Sequence, residues 1–335
     1  MKKYIILVTL LFLAVSCDTN LQDNYNFGEL DSQSTGSLQN GRENGKNIPD
    51  TNTGNINNGN TNSGLIDNPE VQQIDTLSEL YNNVEIKYDV AFYSQFPLSG
   101  TGKYAEPYQN FCEEASLLNV YYYYMGETPS KDAYIEDLMK IKNIEDKLFG
   151  ENGYRDTALT ESLVSLLFFQ NEEYLDDFLN AESEQVKEEI LENILIINAQ
   201  NGGVSGIIEN FPRNNLSQEE LNQRIYDMIL GSLVDGNLVI VPVYGKGLEN
   251  PYFSAGGPVY HNFVITGVTG REIYEGEFIT QEVGISLGAD FKYNKEVVLE
   301  NIYDFDRTLY PDSFTDGEQR ILILFKTDTI RDMRK

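Results

Sequence analysis

Two residue types that are rare in this chain can together cleave an amide bond. The 335 residues contain a single histidine, His261, and only two cysteines, Cys17 and Cys112. A cysteine thiolate is a strong nucleophile, and an imidazole beside it acts as a general base. The sequence therefore indicates Cys112 as a candidate nucleophile and His261, 149 positions further along, as its base.

Cys112 is predicted to open a helix. Apolar residues at helical spacing follow it as far as Met125, and Gly126 stands where a helix would stop. A thiol at a helix N-terminus lies near free backbone N–H groups, which can lower a cysteine pKa from about 8.5 to about 3.5–7.5. Glu113 and Glu114 suit the helix dipole, but either would raise the thiol pKa if it faced the sulfur. The alternative is that this cysteine is simply a small buried apolar residue.

His261 stands between a glycine-rich loop at residues 256–258 and an apolar run at residues 263–265. At the start of a strand an imidazole can face a cleft, although a structural histidine at a strand edge is the other interpretation. Gln95, and Gln109 three residues before the nucleophile, are candidate donors to the oxyanion of an acyl-transfer reaction.

Helical periodicity dominates the first half of the folded region, and β-branched runs dominate the second half. Ser130 is predicted to cap one helix, and Ser217 with Glu220 forms a capping box for another. Helices first and strands later indicate an α+β fold instead of alternating βαβ units. The predicted helices cover residues 112–125, 128–144, 157–170, 172–200, 217–231 and 296–303, and the predicted strands cover 84–90, 238–243, 263–265, 277–280 and 320–325, the last of which is expected to close the sheet.

Two short segments surround the candidate residues. Residues 108–118 read Tyr-Gln-Asn-Phe-Cys-Glu-Glu-Ala-Ser-Leu-Leu, and residues 261–265 read His-Asn-Phe-Val-Ile. Together they resemble the nucleophile and histidine segments of the bacterial family related to bacteriocin-leader-processing peptidases, in the papain clan, whose members place the histidine roughly 130–150 residues after the cysteine. The resemblance covers residues 84–306. It implies a papain-like fold in which an N-terminal helical half, with the nucleophile helix, packs on an antiparallel β-sheet half.

The same resemblance implies a third residue that orients the histidine. The Asp and Pro of the family are Glu282 and Val283 in this chain. A glutamate accepts the same imidazole N–H but is one methylene longer, and Gln281 is a neutral alternative. Loss of the orienting group slows the chemistry without removing the nucleophile or the base. A weakly active or inactive protein is therefore one alternative that the sequence leaves open.

The N-terminal residues resemble a bacterial lipoprotein signal. A positively charged start precedes an apolar run at residues 4–15, which is too short to span a bilayer but typical of a secretory signal. Residues 1–17 are therefore predicted to be a signal peptide, with Cys17 lipidated. Residues 18–73, rich in Asn, Gly, Ser and Thr, are predicted to be a disordered tether, and residues 74–335 the papain-like peptidase domain.

Composition and motifs argue against several other functions. A net charge of −29 opposes binding to nucleic acid, because nothing would neutralise the phosphates. One histidine and no CxxC motif make a zinc site improbable, and no acidic twelve-residue calcium loop is present. The glycine pairs lack the lysine and the helix pattern of a nucleotide-binding loop. We expect neither a metal nor another cofactor.

These features together predict an exported, membrane-anchored, extracytoplasmic lipoprotein. The expected activity is thiol-dependent hydrolysis of peptide bonds in a peptide or protein substrate. The alternative is a surface-binding lipoprotein that keeps the papain-like scaffold without turnover. Transfer of the acyl group to an amine in place of water is a third interpretation, because it uses the same residues.

Overall fold

The structure is a computed structural model that describes residues 85–98, 107–155, 157–212, 216–253, 257–270, 272–285, 290–304 and 319–327. The predicted signal peptide, the predicted lipidation site Cys17 and the predicted tether at residues 18–73 lie outside these residues. None of the helices within the described ranges is long and apolar enough to cross a membrane.

Three helices form the first helical layer: α1 (Cys112–Met125), α2 (Lys131–Phe149) and α3 (Leu159–Gln170). Helix α1 ends at Gly126, which adopts a left-handed conformation with φ of 68° that suits a residue without a side chain. Ser130 caps α2, because its hydroxyl accepts a backbone N–H of the first turn. The predicted bounds of α1, its end at Gly126 and the cap at Ser130 are confirmed, and α2 extends beyond its predicted end at residue 144.

The helical periodicity predicted across residues 172–200 is interrupted in the structure. A short helix, α4 (Leu175–Leu179), is followed by a separate helix, α5 (Glu184–Asn201). The break occurs because Ser183 caps a new helix, its Oγ accepting the N–H of Val186 at 3.4 Å. Helix α6 (Gln218–Val234) begins with the predicted capping box, and a short α7 spans Lys295–Asn301.

Seven strands form one sheet in which every pairing is antiparallel. Six of them run in the order β2-β7-β3-β4-β5-β6, and β1 pairs with the far end of β4. The strands are β1 (Glu85–Lys87), β2 (Val204–Phe211), β3 (Leu238–Val243), β4 (His261–Thr269), β5 (Glu277–Gln281), β6 (Asp290–Asn294) and β7 (Gln319–Lys326).

Two features of this sheet differ from the sequence prediction. Strand β2 was not predicted, because Gly203 and Gly206 interrupt its apolar pattern; Gly206 lacks a side chain where a Cβ would lie 2.8 Å from Leu324. Strand β7, which the sequence predicts to close the sheet, lies inside it between β2 and β3. Strand pairings between distant segments depend on packing and are not encoded in the local pattern of either strand.

The sheet carries a hydrophobic core on each face, because successive side chains along a strand point to opposite sides. On one face, α1, α2 and α3 pack against residues such as Ile240 and Val264. On the other, α6 and α7 pack against Val241 and Phe263. The α+β class is thus confirmed, with the helix that begins at Cys112 packed on an antiparallel sheet. Helices α6 and α7 cover the second face of the sheet, a placement that the sequence did not predict.

Candidate active site

His261 is the first residue of β4, and it contacts a carboxylate that follows β5. Because β4 and β5 are antiparallel, with Val264 paired to Gln281, the beginning of β4 runs beside the residues after β5. His261 Nε2 lies 2.5 Å from Glu282 Oε1, and the two side chains are 2% and 0% exposed. A carboxylate only accepts hydrogen bonds, so the hydrogen of this contact belongs to Nε2. The imidazole therefore keeps Nδ1 as the nitrogen that can take a proton.

Glu282 is held by donors from two further segments. The N–H of Gly284 donates to Oε1 at 3.0 Å, and the hydroxyl of Tyr293 donates to Oε2 at 2.6 Å. Asn250 Nδ2 in turn donates to the Tyr293 oxygen at 2.6 Å. A Cβ at position 284 would lie 2.9 Å from Cε1 of His261, so glycine allows this close approach. Both carboxylate oxygens are satisfied without a lysine or arginine.

The candidate nucleophile lies at the start of α1, as the sequence predicts, but its thiol faces an acid. Cys112 Sγ donates to Glu113 Oε2 at 2.9 Å, and the side chain is only 6% exposed. Burial raises the pKa of the Cys112 thiol well above its usual value, and the charge and hydrogen bond of Glu113 raise it further. The sequence left open whether the helix N-terminus lowers the thiol pKa or a facing glutamate raises it; in the structure Glu113 faces the sulfur, and burial and this acid outweigh the helix N-terminus.

The backbone of β4 connects the candidate base to the candidate nucleophile. The backbone N–H of Asn262, the residue after His261, favours the Cys112 thiolate and partly offsets the increase in the thiol pKa. The imidazole packs near Phe263 on one face of the sheet, whereas Cys112 belongs to the core on the other face. Within the described residues no hydrogen bond joins Sγ to either imidazole nitrogen. The two side chains are thus brought to the same end of β4 without direct bonding.

Of the two candidate oxyanion donors, Gln95 is the buried one. Its Nε2 donates to the carbonyls of Tyr108 and Gln109, both at 3.2 Å, in the turn that precedes Cys112. Its backbone N–H donates to the carbonyl of Val283, next to Glu282. Gln95 therefore connects the nucleophile segment to the segment after β5 that carries Glu282. Gln109 contributes its carbonyl to this contact and is exposed.

Gln281, the neutral alternative to Glu282, does not contact the imidazole. Its Nε2 donates to the carbonyl of Val90 at 2.9 Å and to Asp290 Oδ1 at 3.1 Å. Neighbouring side chains of an extended chain point to opposite faces, so Gln281 and Glu282 cannot both reach His261. Glu282 is the residue that the fold brings to the histidine.

Sequence reasoning missed Tyr293 and Asn250. Tyr293 lies on β6, and Asn250 lies in the turn after the short 3-10 helix Gly245–Leu248. No motif marks them, because Tyr293 reaches Glu282 only through the pairing of β5 with β6, in which Phe278 is opposite Tyr293, and Asn250 is linked to Glu282 only through Tyr293. The pairing register was the signal needed to find them.

Known proteins and metal chemistry give no further indication of function. A scan against protein-family models finds no matching family, and a search of curated proteins finds no match either. In the part of the chain that the structure describes, no group of three or more His, Cys, Asp or Glu side chains is arranged to hold a metal ion. The geometry around Cys112 and His261 is therefore the main indication of function.

Proposed function

We propose that this protein is a papain-like thiol hydrolase of peptide bonds. In this proposal Cys112 is the nucleophile, His261 is the general base, and Glu282 orients the imidazole. The observation that carries it is the buried His261–Glu282 pair, bonded through Nε2 at 2.5 Å at the start of β4. The backbone N–H of the next residue, Asn262, favours the Cys112 thiolate. That orientation leaves Nδ1 able to accept the thiol proton.

The chemistry follows from these roles. In the structure the thiol and the imidazole lie on opposite faces of the sheet at the start of β4, so the reaction requires the thiol to leave Glu113 and the two side chains to come within hydrogen-bonding reach. Nδ1 then accepts the thiol proton as the sulfur attacks the substrate carbonyl. The resulting oxyanion accepts hydrogen bonds from the Cys112 amide and from Gln95, once the latter releases a carbonyl. The imidazolium protonates the departing amine, and water then hydrolyses the thioester. Because the thiol is protonated before attack, His261 acts as a general base and not as the partner of a preformed ion pair.

The proposed location follows from the N-terminal sequence. A lipid on Cys17 would anchor the protein to the outside of a bacterial membrane, and residues 18–73 would separate the domain from the lipid surface. The substrate is then an extracytoplasmic peptide or protein, and the net charge of −29 disfavours nucleic acid as a partner.

The test is hydrolysis of a mixed peptide library, read by mass spectrometry. All proteins carry Cys17→Ser, so that Cys112 is the only thiol. We expect new peptide termini with this parent, none with Cys112→Ala, and at most a trace with His261→Ala. An unchanged library in all three proteins would contradict a peptidase, and equal cleavage in all three would indicate a contaminant.

One observation favours a second candidate, a surface-binding protein without turnover. Cys112 and His261 are both almost fully buried, and the thiol donates to Glu113 instead of the imidazole. In this case the parent and Cys112→Ala would retain the same peptides in a pull-down from the library, with equal recovery and without new termini. Cleavage that depends on Cys112 excludes this candidate.

A further inference from the structure

Four buried side chains form an unbroken series of hydrogen bonds that ends at the histidine. Asn250 donates to Tyr293 at 2.6 Å, Tyr293 to Glu282 at 2.6 Å, and Glu282 accepts from His261 at 2.5 Å. The series joins the turn after Leu248, strand β6, the end of β5 and the start of β4. It therefore spans three strands and one loop.

A glutamate needs such support more than a shorter acid would. Its carboxylate is reached through three rotatable bonds, so a single bond to an imidazole does not fix its orientation. Here Gly284 restrains Oε1 and Tyr293 restrains Oε2, which leaves the carboxylate one arrangement. Removing the Tyr293 hydroxyl would free one oxygen while leaving the His261 contact possible.

Asn250 acts on the histidine from a second direction. Its Oδ1 accepts the N–H of Tyr252 at 2.9 Å, and its carbonyl accepts the N–H of Phe253 at 3.1 Å. The Phe253 ring packs edge-on against the imidazole of His261, with centroids 5.3 Å apart. The same asparagine thus supports both the acid that bonds the imidazole and the ring that covers it.

We propose that Tyr293 and Asn250 are positioning residues that hold Glu282, and through it the imidazole of His261, in the orientation that catalysis needs. This inference rests on the proposed thiol hydrolase for its consequence in catalysis, although the geometry it describes can be measured without activity. Burial and the charge of Glu282 raise the pKa of Tyr293, so its hydroxyl stays a donor at physiological pH.

Tyr293→Phe is the cleanest variant. The ring stacks on Phe263 at 5.3 Å and packs on Phe291 at 4.6 Å, and phenylalanine keeps both contacts. Tyr124→Phe is the matched control. It also removes a hydroxyl bonded to Leu324, but at the other end of α1, remote from Glu282.

The first readout is the imidazole N–H proton, which needs no assignment because the tag-free chain has one histidine. We expect a hydrogen-bonded Nε2–H resonance in the ¹⁵N-histidine spectrum of the parent. Its exchange with water should become about tenfold faster in Tyr293→Phe and in Asn250→Ala, the effect of losing one good hydrogen bond. It should stay unchanged in Tyr124→Phe. Exchange rates within twofold of the parent in both positioning variants would overturn the proposal.

The second readout is peptide hydrolysis, measured on the same proteins. We expect kcat to fall about tenfold to a hundredfold in each positioning variant, with KM nearly constant. Because the two residues act in one series, kcat of the double variant should be no lower than kcat of the less active single variant. If the parent cleaves nothing but N–H exchange is faster in the two positioning variants than in the parent, the proposed function is refuted and the positioning role is supported. An active parent whose variants keep kcat would refute the positioning role alone.

Discussion

Neighbouring groups affect the pKa of the Cys112 thiol in opposite directions. Burial opposes ionisation of the thiol, and so does Glu113, which accepts a hydrogen bond from the thiol at 2.9 Å, while the backbone N–H of Asn262 favours the thiolate. The helix N-terminus also favours the thiolate. The net result is a raised pKa, so Glu113 keeps the nucleophile protonated until a base approaches.

Replacing Glu113 with glutamine should therefore make the thiol more reactive. The substitution removes a charge in direct contact with the sulfur and supplies an amide N–H that can donate to a thiolate. We expect the pKa of Cys112 to fall, and iodoacetamide to alkylate it roughly tenfold faster near pH 7.5. The measurement is the pH dependence of alkylation in the Cys17→Ser background.

Glu114→Gln is the control for this experiment, since Glu114 also raises the thiol pKa but by less and without a hydrogen bond to the sulfur. It should change the alkylation rate much less than Glu113→Gln. Equal rates in the parent and Glu113→Gln would mean that burial alone governs the thiol.

The rarity of histidine and cysteine in the chain identified some of the candidate site residues but not others. One histidine and one cysteine beyond the signal left few choices for Cys112 and His261, and the resemblance indicated Glu282. The choice between Gln281 and Glu282 was open in the sequence. It is settled by the pleat of the chain at the end of β5, which turns only Glu282 towards the histidine.

Helices α1 and α2 meet at two buried acids. Glu114 and Glu145 are both fully buried, and the two carboxyl groups can hydrogen-bond to each other only if one of them carries a proton. Burial and Glu145 raise the pKa of Glu114, and burial raises the pKa of Glu145 to about 8. The other groups facing this pair are also acids, phenols or hydroxyls, namely Glu113, Tyr134, Asp146, Glu161 and Ser165.

This pair predicts a protein that loses stability as the pH rises. The folded state binds protons more tightly than the unfolded state, in which a glutamate titrates near 4.5. Between about pH 4.5 and 8 the folded protein therefore binds one proton more than the unfolded protein. Across this window each unit of pH increase shifts the unfolding equilibrium constant by up to about tenfold towards the unfolded state. Urea unfolding should show the free energy of unfolding falling across this window.

Glu145→Gln should flatten that pH dependence. A glutamine keeps the shape of the side chain and a donor for Glu114, but it does not titrate. Glu192→Gln, at an exposed position of α5, is the matched control and should leave the slope unchanged. The same slope in the Glu145→Gln variant and the parent would show that other groups cause it.

Elements were more predictable than their arrangement. Caps at Ser130 and Ser217 and the stop at Gly126 are local signals, and they mark helix ends correctly in the structure. Strand β2 lacks a clean apolar run, so it could be found only through its eight-residue pairing with β7.

At the scale of the whole molecule, the proposed site depends on how α1 docks on the sheet. The proposed nucleophile, Cys112, begins α1, whereas the proposed base and its acid come from β4 and the end of β5. At the opposite end of α1, the Tyr124 hydroxyl donates to the Leu324 carbonyl at 2.8 Å and accepts the Leu238 N–H at 2.9 Å. These contacts join the C-terminal end of the helix to β3 and β7, far from Cys112. Sequence patterns predicted both partners but not this docking, which arises from contacts between residues more than 100 positions apart.

The central claim is that Cys112 becomes a nucleophile through His261. A peptidyl chloromethyl ketone tests this most directly, because it alkylates a thiol that an adjacent base has activated, and intact-mass spectrometry counts the adducts. In the Cys17→Ser protein we expect one adduct, mapped to Cys112, in the native state, and at least a hundredfold slower labelling in His261→Ala, in keeping with the usual contribution of a general base. Labelling that appears only after denaturation, or at equal rates with and without the imidazole, would contradict the account.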